Sequence, residues 1–161
     1  MKRIALLGGV AALAAGCVTA YVPPTHNAQP TIRVDTRNIK SVLFFEKGRD
    51  CSFSRKLEKP YNPYLEASKA LPVHGNKMIA FKLGYATRRD ACSTTLSFVP
   101  KLNHDYVIYN KLKQDASGKL SCNMKVIRKH RAASATAWKD EETLRTRQPL
   151  QTFSTDAPHC R

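Results

Sequence analysis

The sequence predicts a mainly β protein, an antiparallel β-sandwich with one or two short helices and two disulfides. Apolar and polar residues alternate over many short runs, which is the pattern of strands buried on one face. Turn-forming residues separate these runs about every ten positions, as is typical of sandwiches and barrels. Four cysteines fall in the same part of the chain. We expect this part, residues 32–161, to form a single domain.

The first strands are expected between residues 32 and 46. Apolar and charged residues alternate over 32–34, which predicts a first strand. The run 40–46 is apolar on both faces, so we expect a central strand there. A turn over 47–50 then leads to Cys51, and residues 55–61 have the composition of a loop.

A short helix is predicted next. Asn62 offers an N-cap, and Pro63 occupies the first helical position, where proline is tolerated. The helix is expected over Tyr64–Leu71, and Pro72 is expected to end it.

Four strands fill the middle of the chain. They are predicted at 77–86, 91–99, 106–112 and 119–128, with a hairpin turn over 114–118. In the last strand, alternate residues share one face: Leu120, Cys122, Met124 and Val126. Farther on the pattern is ambiguous, because 141–147 is compatible with a short helix and 149–154 with a last strand leading to Cys160.

The N-terminal residues have the pattern of an export signal. Met1-Lys2-Arg3 is followed by an apolar run over 4–15, which is too short to span a bilayer. The run ends Leu-Ala-Ala-Gly-Cys at residues 13–17, and this string resembles the lipobox of bacterial lipoproteins. The place three before the cysteine, usually leucine, is occupied here by alanine.

This resemblance implies cleavage after Gly16 and lipid attachment to Cys17. Two or more acyl chains anchor a protein stably to a membrane. The residue after the cysteine is Val18 rather than aspartate, which by analogy implies the outer membrane, on the periplasmic side. Residues 17–31 would then be the lipidated cysteine and a flexible, proline-rich linker.

Cysteine parity agrees with export. The chain has five cysteines, and setting Cys17 aside leaves an even number, which suits two disulfides in an oxidising compartment. If strands 91–99, 106–112 and 119–128 lie side by side, Cys92 and Cys122 are about 9–10 Å apart. A disulfide needs Cα atoms within about 7 Å. That pair is therefore disfavoured unless the chain crosses between sheets there.

Two pairings of the four cysteines remain open. We favour Cys51–Cys92 with Cys122–Cys160, and the alternative is Cys51–Cys122 with Cys92–Cys160.

The charge is strongly basic. The first 16 residues hold two of the 27 basic residues and none of the 12 acidic ones, so the rest carries a formal charge of +13. Such an excess attracts anionic surfaces, which in an envelope are lipopolysaccharide, acidic lipids or acidic proteins. Nucleic acid is not expected as a partner in that compartment. The densest cluster, with Arg128, Lys129 and Arg131, is a candidate anion site or simply a solvated basic surface.

Catalytic and cofactor motifs are not apparent. His104-Asp105 lacks a presented nucleophile, and no histidine or cysteine pair has the spacing of metal ligands. The acidic run 140–142 is typical of a first helical turn or a solvated loop. Trp138, the only tryptophan, is either a core residue or an exposed partner contact. We therefore expect no catalytic residue, no metal and no small-molecule cofactor.

A second resemblance concerns residues 96–106. Phe98, Pro100 and Tyr106 form a Phe-x-Pro…Tyr pattern that is similar to one in small uncharacterised proteobacterial lipoproteins. The resemblance implies an immunoglobulin- or transthyretin-like sandwich and no assigned activity.

These observations favour a non-enzymatic envelope lipoprotein that binds another envelope component, as an accessory of a secretion or assembly machine would. One alternative is direct binding of lipopolysaccharide or cell-wall polymer, for which added salt would weaken binding steeply. Another is inhibition of an exogenous hydrolase, although a basic lysozyme would be repelled by like charge. An enzyme would need a deep pocket with converging polar groups.

Overall fold

The computed structural model describes residues 19–57, 69–86, 91–151 and 157–161. Within these ranges the chain forms ten strands and one 3₁₀ helix, with no α-helix. The strands are β1 (Thr31–Val34), β2 (Ser41–Lys47), β3 (Ser52–Arg55), β4 (Leu71–Pro72), β5 (Ile79–Ala86), β6 (Ala91–Phe98), β7 (His104–Gln114), β8 (Leu120–His130), β9 (Lys139–Asp140) and β10 (Arg145–Arg147). The 3₁₀ helix covers Thr36–Asn38, and the Asp35 side chain caps its first turn.

The strands form two sheets of five. The first sheet has the order β4-β1-β7-β8-β9, and the second has the order β10-β6-β5-β2-β3. Neighbours are antiparallel except β1 and β7, which are parallel. The inner faces of both sheets contribute to one apolar core, so the molecule is a β-sandwich, as predicted.

The core follows from the alternation of the strands. In β7 the buried residues Tyr106 and Ile108 alternate with partly exposed ones, because successive side chains point to opposite faces. In β5, Phe81 and Leu83 are fully buried on the inner face. Full burial of one such side chain contributes about 1.5–3 kcal/mol. Apart from their ends, the strands predicted at 32–34, 40–46, 77–86, 91–99, 106–112 and 119–128 are present.

The chain changes sheets between β6 and β7. Residues 99–103 carry it from the second sheet to the first, where Asn103 adopts a left-handed conformation with φ of 57°. The Tyr106 hydroxyl accepts a hydrogen bond from the backbone N–H of Lys101 at 2.8 Å and braces this crossing. The expectation that β6 and β7 lie side by side was therefore wrong.

The crossing also explains the disulfides. All four cysteines are paired as expected, but the bonds are Cys92–Cys122 and Cys51–Cys160, with Cα–Cα distances of 5.7 and 5.2 Å. Both pairings considered from the sequence were wrong. Because β6 and β8 lie in different sheets, Cys92 and Cys122 meet across the sandwich rather than across an intervening strand.

The segment that precedes β1 packs on the sandwich from Thr19 onward. Tyr21 is buried with 8% of its surface exposed, and its ring contacts Phe44 edge-on at 4.8 Å between centroids. The backbone N–H of Lys56 donates to the Thr19 carbonyl oxygen at 3.2 Å. The expected linker therefore includes residues that pack on the sandwich, because Tyr21 is buried in the core.

Neither predicted helix is present in the part of the chain that the structure describes. The region 58–68, which holds most of the predicted helix Tyr64–Leu71, lies outside the described residues. Leu71, the last residue of that predicted helix, belongs to β4. The predicted helix over 141–147 is instead a turn followed by β10. Of the predicted last strand, Pro149 forms a single bridge with Cys160, and residues 152–156 lie outside the described ranges.

Candidate functional site

The outer surface of the first sheet is rich in basic residues. Buried residues alternate with outward ones along β1, β7 and β8, so the outward positions form one continuous face. We call it the basic face, after its five outward cations: Arg33, Lys111, Lys113, Lys125 and Lys129.

These cations lie opposite uncharged residues in most cross-strand pairs. Lys111 faces Asn123, and Tyr109 faces Lys125. Arg33 faces Val107 across the parallel pair of β1 and β7. Among the residues that the structure describes, no carboxylate lies within ion-pair distance of any of the five. The charge of Arg33, Lys111, Lys113 and Lys125 is therefore available to an external anion, whereas Lys129 faces Asp105 across the strand pair.

The acidic residue on the outward positions of these three strands is Asp105. Its Oδ1 accepts hydrogen bonds from Thr31 Oγ1 at 2.7 Å and from Arg131 Nε at 3.0 Å. Burial of the carboxyl is the largest single influence and raises its pKa. The hydrogen bonds from Thr31 and Arg131, with nearby positive charge, outweigh burial and hold the pKa below its usual value. Asp105 is thus ionised and already matched by Arg131.

A groove of about 300 Å³ lies at one end of the basic face. Trp138 contributes an aromatic side chain to its lining, and Arg33 and Lys129 contribute cations. The Lys129 Nζ lies 5.3 Å from the centroid of the Trp138 ring, in a cation–π contact. Trp138 is half-buried, so it is partly accessible from this groove.

The candidate anion cluster over 128–131 is not brought together as one site. The Arg128 side chain is only 11% exposed, and its Nη2 donates to Glu142 Oε1 at 2.7 Å. Its Nε lies 3.6 Å from Glu141 Oε2, and the Glu141 side chain is fully buried. Arg128 therefore belongs to an internal ion-pair network.

Arg131 has a different structural role. Besides bonding Asp105, its guanidinium donates to the carbonyl oxygens of Asn27 and Gln29, both at 2.6 Å. It thereby ties the segment before β1 to the end of β8. Of the three predicted anion-binding residues, only Lys129 belongs to the basic face.

Two histidines that looked unrelated in the sequence are cross-strand partners. His104 and His130 pair between β7 and β8, with ring centroids 5.0 Å apart. The Nδ1 of His104 lies 2.8 Å from the Leu102 carbonyl oxygen, so this nitrogen carries the proton. The Nδ1 of His130 accepts from the backbone N–H of Ala132. The neutral His130 ring is therefore protonated at Nε2, whereas the His104 ring is protonated at Nδ1.

A pair of this kind holds a metal ion poorly, because a stable site takes three or four ligands. Within the described ranges no group of three or more His, Cys, Asp or Glu side chains has the geometry to hold a metal ion.

A larger cleft of about 510 Å³ lies beside strands β2 and β3 of the second sheet. Phe53, with a left-handed φ of 56°, lines it, and the Lys47 Nζ lies 4.2 Å from the Phe53 ring centroid. Glu46 and Arg55 form an ion pair at 3.1 Å on its wall. Its charge is therefore partly neutralised, unlike that of the basic face.

Similarity to known proteins contributes nothing to the choice between these sites. The chain matches no protein-family model, no curated protein and no solved structure. The fold therefore defines the class of this protein, a two-sheet β-sandwich with two disulfides. In the part that the structure describes, no helix has the length and apolar character needed to cross a bilayer.

Proposed function

We propose that this protein is a lipid-anchored, non-enzymatic lipoprotein of the outer membrane, on its periplasmic side, that binds an anionic envelope component. Cys17 would carry the lipid, and the basic face would make the contact. The observation that carries the proposal is the set of five outward cations on one face of the first sheet, none of which forms an ion pair with a described residue.

The composition of the basic face favours an extended anionic partner. Four of its five cations are lysines, which act as flexible point charges rather than as forks that fit a single planar anion. Such residues suit a polymer or a membrane surface with many negative groups. The formal charge of +13 after residue 16 strengthens the same attraction at longer range.

The short distance along the chain from the anchor supports a partner close to the membrane. Thr19 already contacts the sandwich, and only Val18 separates it from Cys17. Two residues of extended chain reach about 7 Å. A lipid on Cys17 would therefore hold the sandwich against the membrane rather than far from it.

The proposal includes no catalysis. His104 and Asp105 are adjacent in sequence, but Asp105 bonds Thr31 and Arg131, while His104 bonds the Leu102 backbone. A catalytic dyad needs the carboxylate to orient the imidazole. These two side chains serve the local structure instead.

The anchor is tested by mass spectrometry of the N-terminal peptide from the membrane fraction. We expect a mature chain that begins at Cys17 and carries a diacylglyceryl group and an amide-linked acyl chain. Cys17→Ser is expected to abolish this modification. An unmodified Cys17 in the membrane fraction would contradict the proposal.

The binding surface is tested with vesicles that contain lipopolysaccharide. The variant Lys111→Gln/Lys113→Gln/Lys125→Gln removes three cations from the basic face. Because a basic residue near an anionic surface contributes about 1 kcal/mol, three such losses should weaken binding roughly 100-fold. Added salt should reduce the difference.

The matched control removes three exposed lysines elsewhere, in Lys40→Gln/Lys77→Gln/Lys82→Gln. It loses the same net charge and should retain most of the binding. Equal losses in both variants would mean that overall charge, and not the basic face, attracts the partner. Crosslinking in intact cells that yields one protein in near-stoichiometric amount would instead favour a protein partner.

A further inference from the structure

We infer that the groove beside Trp138 recognises a sugar ring that carries an acidic group. This inference rests on the proposed function and specifies the anionic component as an acidic polysaccharide. The groove brings together an aromatic ring, two cations and a carboxylate, which are the groups that such a unit requires.

Each group in the groove has a separate chemical task. Trp138 offers an apolar ring surface on which the C–H groups of a sugar ring can pack. Arg33 and Lys129 lie on the same groove and match the negative charge of the acidic group. A partner without a ring would leave the indole unused, and a neutral sugar would leave both cations unused.

The carboxylate of Asp105 supplies a hydroxyl acceptor. Its Oδ1 is occupied by Thr31 and Arg131, whereas among the described residues Oδ2 has no hydrogen-bond partner. The Asp105 side chain is 35% exposed, and it lines the groove. Oδ2 can therefore accept a hydrogen bond from a sugar hydroxyl, which a purely anionic partner such as polyglutamate lacks.

An acidic ligand can replace the contact between Lys129 and Trp138. A cation–π contact at an exposed site is weak, whereas a hydrogen bond between two ionised groups is stronger than one between neutral groups. An acidic group in the groove would draw the Lys129 ammonium from its place 5.3 Å from the ring centroid. The vacated indole surface would then be covered by the sugar ring.

The rest of the basic face can continue the contact along a polymer. The groove, at about 300 Å³, is at the small end of the range for ligand sites, so it takes a short segment. Lys125 lies four residues from Lys129 on the same face of β8, a distance of about 14 Å along the strand. Lys111 and Lys113 lie on the adjacent β7. Such a row of cations suits a chain with regularly repeated negative groups.

The sole tryptophan makes the groove directly observable. The purified acylated full-length protein, in micelles of a neutral detergent, is titrated with polygalacturonate, with polyglutamate and with the neutral polymer dextran. Trp138 fluorescence reports events in the groove, because the chain contains one tryptophan. We expect polygalacturonate to bind tightest and to change the Trp138 emission. Polyglutamate should bind more weakly with little change, and dextran should not bind.

Variants distinguish recognition of the sugar ring in the groove from attraction of any polyanion by the basic face. Trp138→Leu keeps apolar bulk, and binding is then followed by calorimetry. It should weaken polygalacturonate binding about tenfold, while polyglutamate binding stays within about twofold. Asp105→Asn, which keeps an oxygen acceptor for Thr31, also removes a negative charge opposite Lys129, so it should strengthen polyglutamate binding more than polygalacturonate binding. The control Lys82→Gln, on the outer surface of the second sheet, should leave both unchanged.

Each result supports or overturns either sugar recognition in the groove or anion binding by the basic face. Equal binding of the two polyanions, or an equal loss for both in Trp138→Leu, would overturn sugar recognition while leaving the basic face intact. Failure of both polyanions to bind would overturn the basic face as well.

Discussion

The outer surfaces of the two sheets differ in what covers them. On the first sheet, outward residues of β7 such as Lys111 and Lys113 are exposed to solvent. On the second sheet, Phe45 and Ala80 also point outward, yet both are buried in a cluster with Cys51 and Cys160. The end of the chain therefore closes an apolar part of the second sheet, whereas the first sheet presents exposed lysines.

The covering of the second sheet is specific in its contacts. The ring centroids of His159 and Phe45 are 5.5 Å apart. Cys160, the residue after His159, is held by its disulfide to Cys51. Arg147 of β10 donates from Nε to the Ser97 hydroxyl at 2.7 Å. These contacts keep water from Phe45 and Ala80, whereas the outward Lys47, Lys82 and Arg145 of the same surface stay exposed.

The largest effect should come from removing the covering of the second sheet. Cys51→Ala/Cys160→Ala opens a loop with a sequence separation of 109 residues, for which chain entropy gives about 4–5 kcal/mol. Cys92→Ala/Cys122→Ala opens a separation of 30, for about 3–4 kcal/mol. Urea unfolding of both double variants measures the difference. A smaller loss for the longer loop would mean that the C-terminal residues hold their place without the bond.

The inner side of the first sheet should be nearly as sensitive. Glu141→Ala leaves Arg128 buried without its enclosed partner, and breaking a buried ion pair costs about 3–5 kcal/mol. Glu142→Ala is the matched control, because the Glu142 side chain is 72% exposed and pairs with the same guanidinium. It should cost less than about 1 kcal/mol in the free energy of unfolding. Similar losses would contradict the assignment of Arg128 to the interior.

The basic face should respond to acid through Asp105. Because its folded pKa lies below the unfolded value of about 3.9, its ionised form stabilises the fold above that pH. This stabilisation is lost as the pH falls through the folded pKa. Unfolding measured between pH 7 and pH 3 should show a smaller pH dependence for Asp105→Asn than for the native chain. An unchanged slope would mean that other carboxyl groups account for the acid response.

The smallest effect should come from the tip of the hairpin that carries Lys111 and Lys113. Gly118 has φ of 83°, a conformation that a side chain disfavours. Gly118→Ala should cost about 1 kcal/mol in thermal unfolding. The exposed neighbour Ala116→Ser should change stability by less than about 0.5 kcal/mol. No loss at Gly118 would show that the tip adapts without strain.

Local patterns predicted the strands well, because alternation reports which residues are buried. The same alternation placed Met124 and Val126 on one face of β8, and extending it by one step would have put Arg128 on that inner face. Only Lys129 would then have remained as an outward candidate. The internal pairing of Arg128 was thus within reach of the sequence.

Other features depend on contacts between distant parts of the chain. Nothing local shows that residues 99–103 cross between sheets, and the disulfide pairing follows from that crossing. The burial of Tyr21 depends on Phe44, and the position of Trp138 beside Lys129 depends on the turn after β8. Neither Tyr21 nor Trp138 lies in a patterned strand. Composition therefore suggested a linker around Tyr21 and left open whether Trp138 is buried or exposed.

The two disulfides are nested, since Cys92–Cys122 lies within the loop that Cys51–Cys160 closes. One consequence concerns proteolysis. A single cut anywhere between Cys51 and Cys160 leaves two pieces that remain covalently joined. Both pieces would stay with any lipid at the N-terminus, so one cleavage within this span would not release β7 and β8 from the membrane. On a gel, such a nicked chain separates into fragments only after reduction.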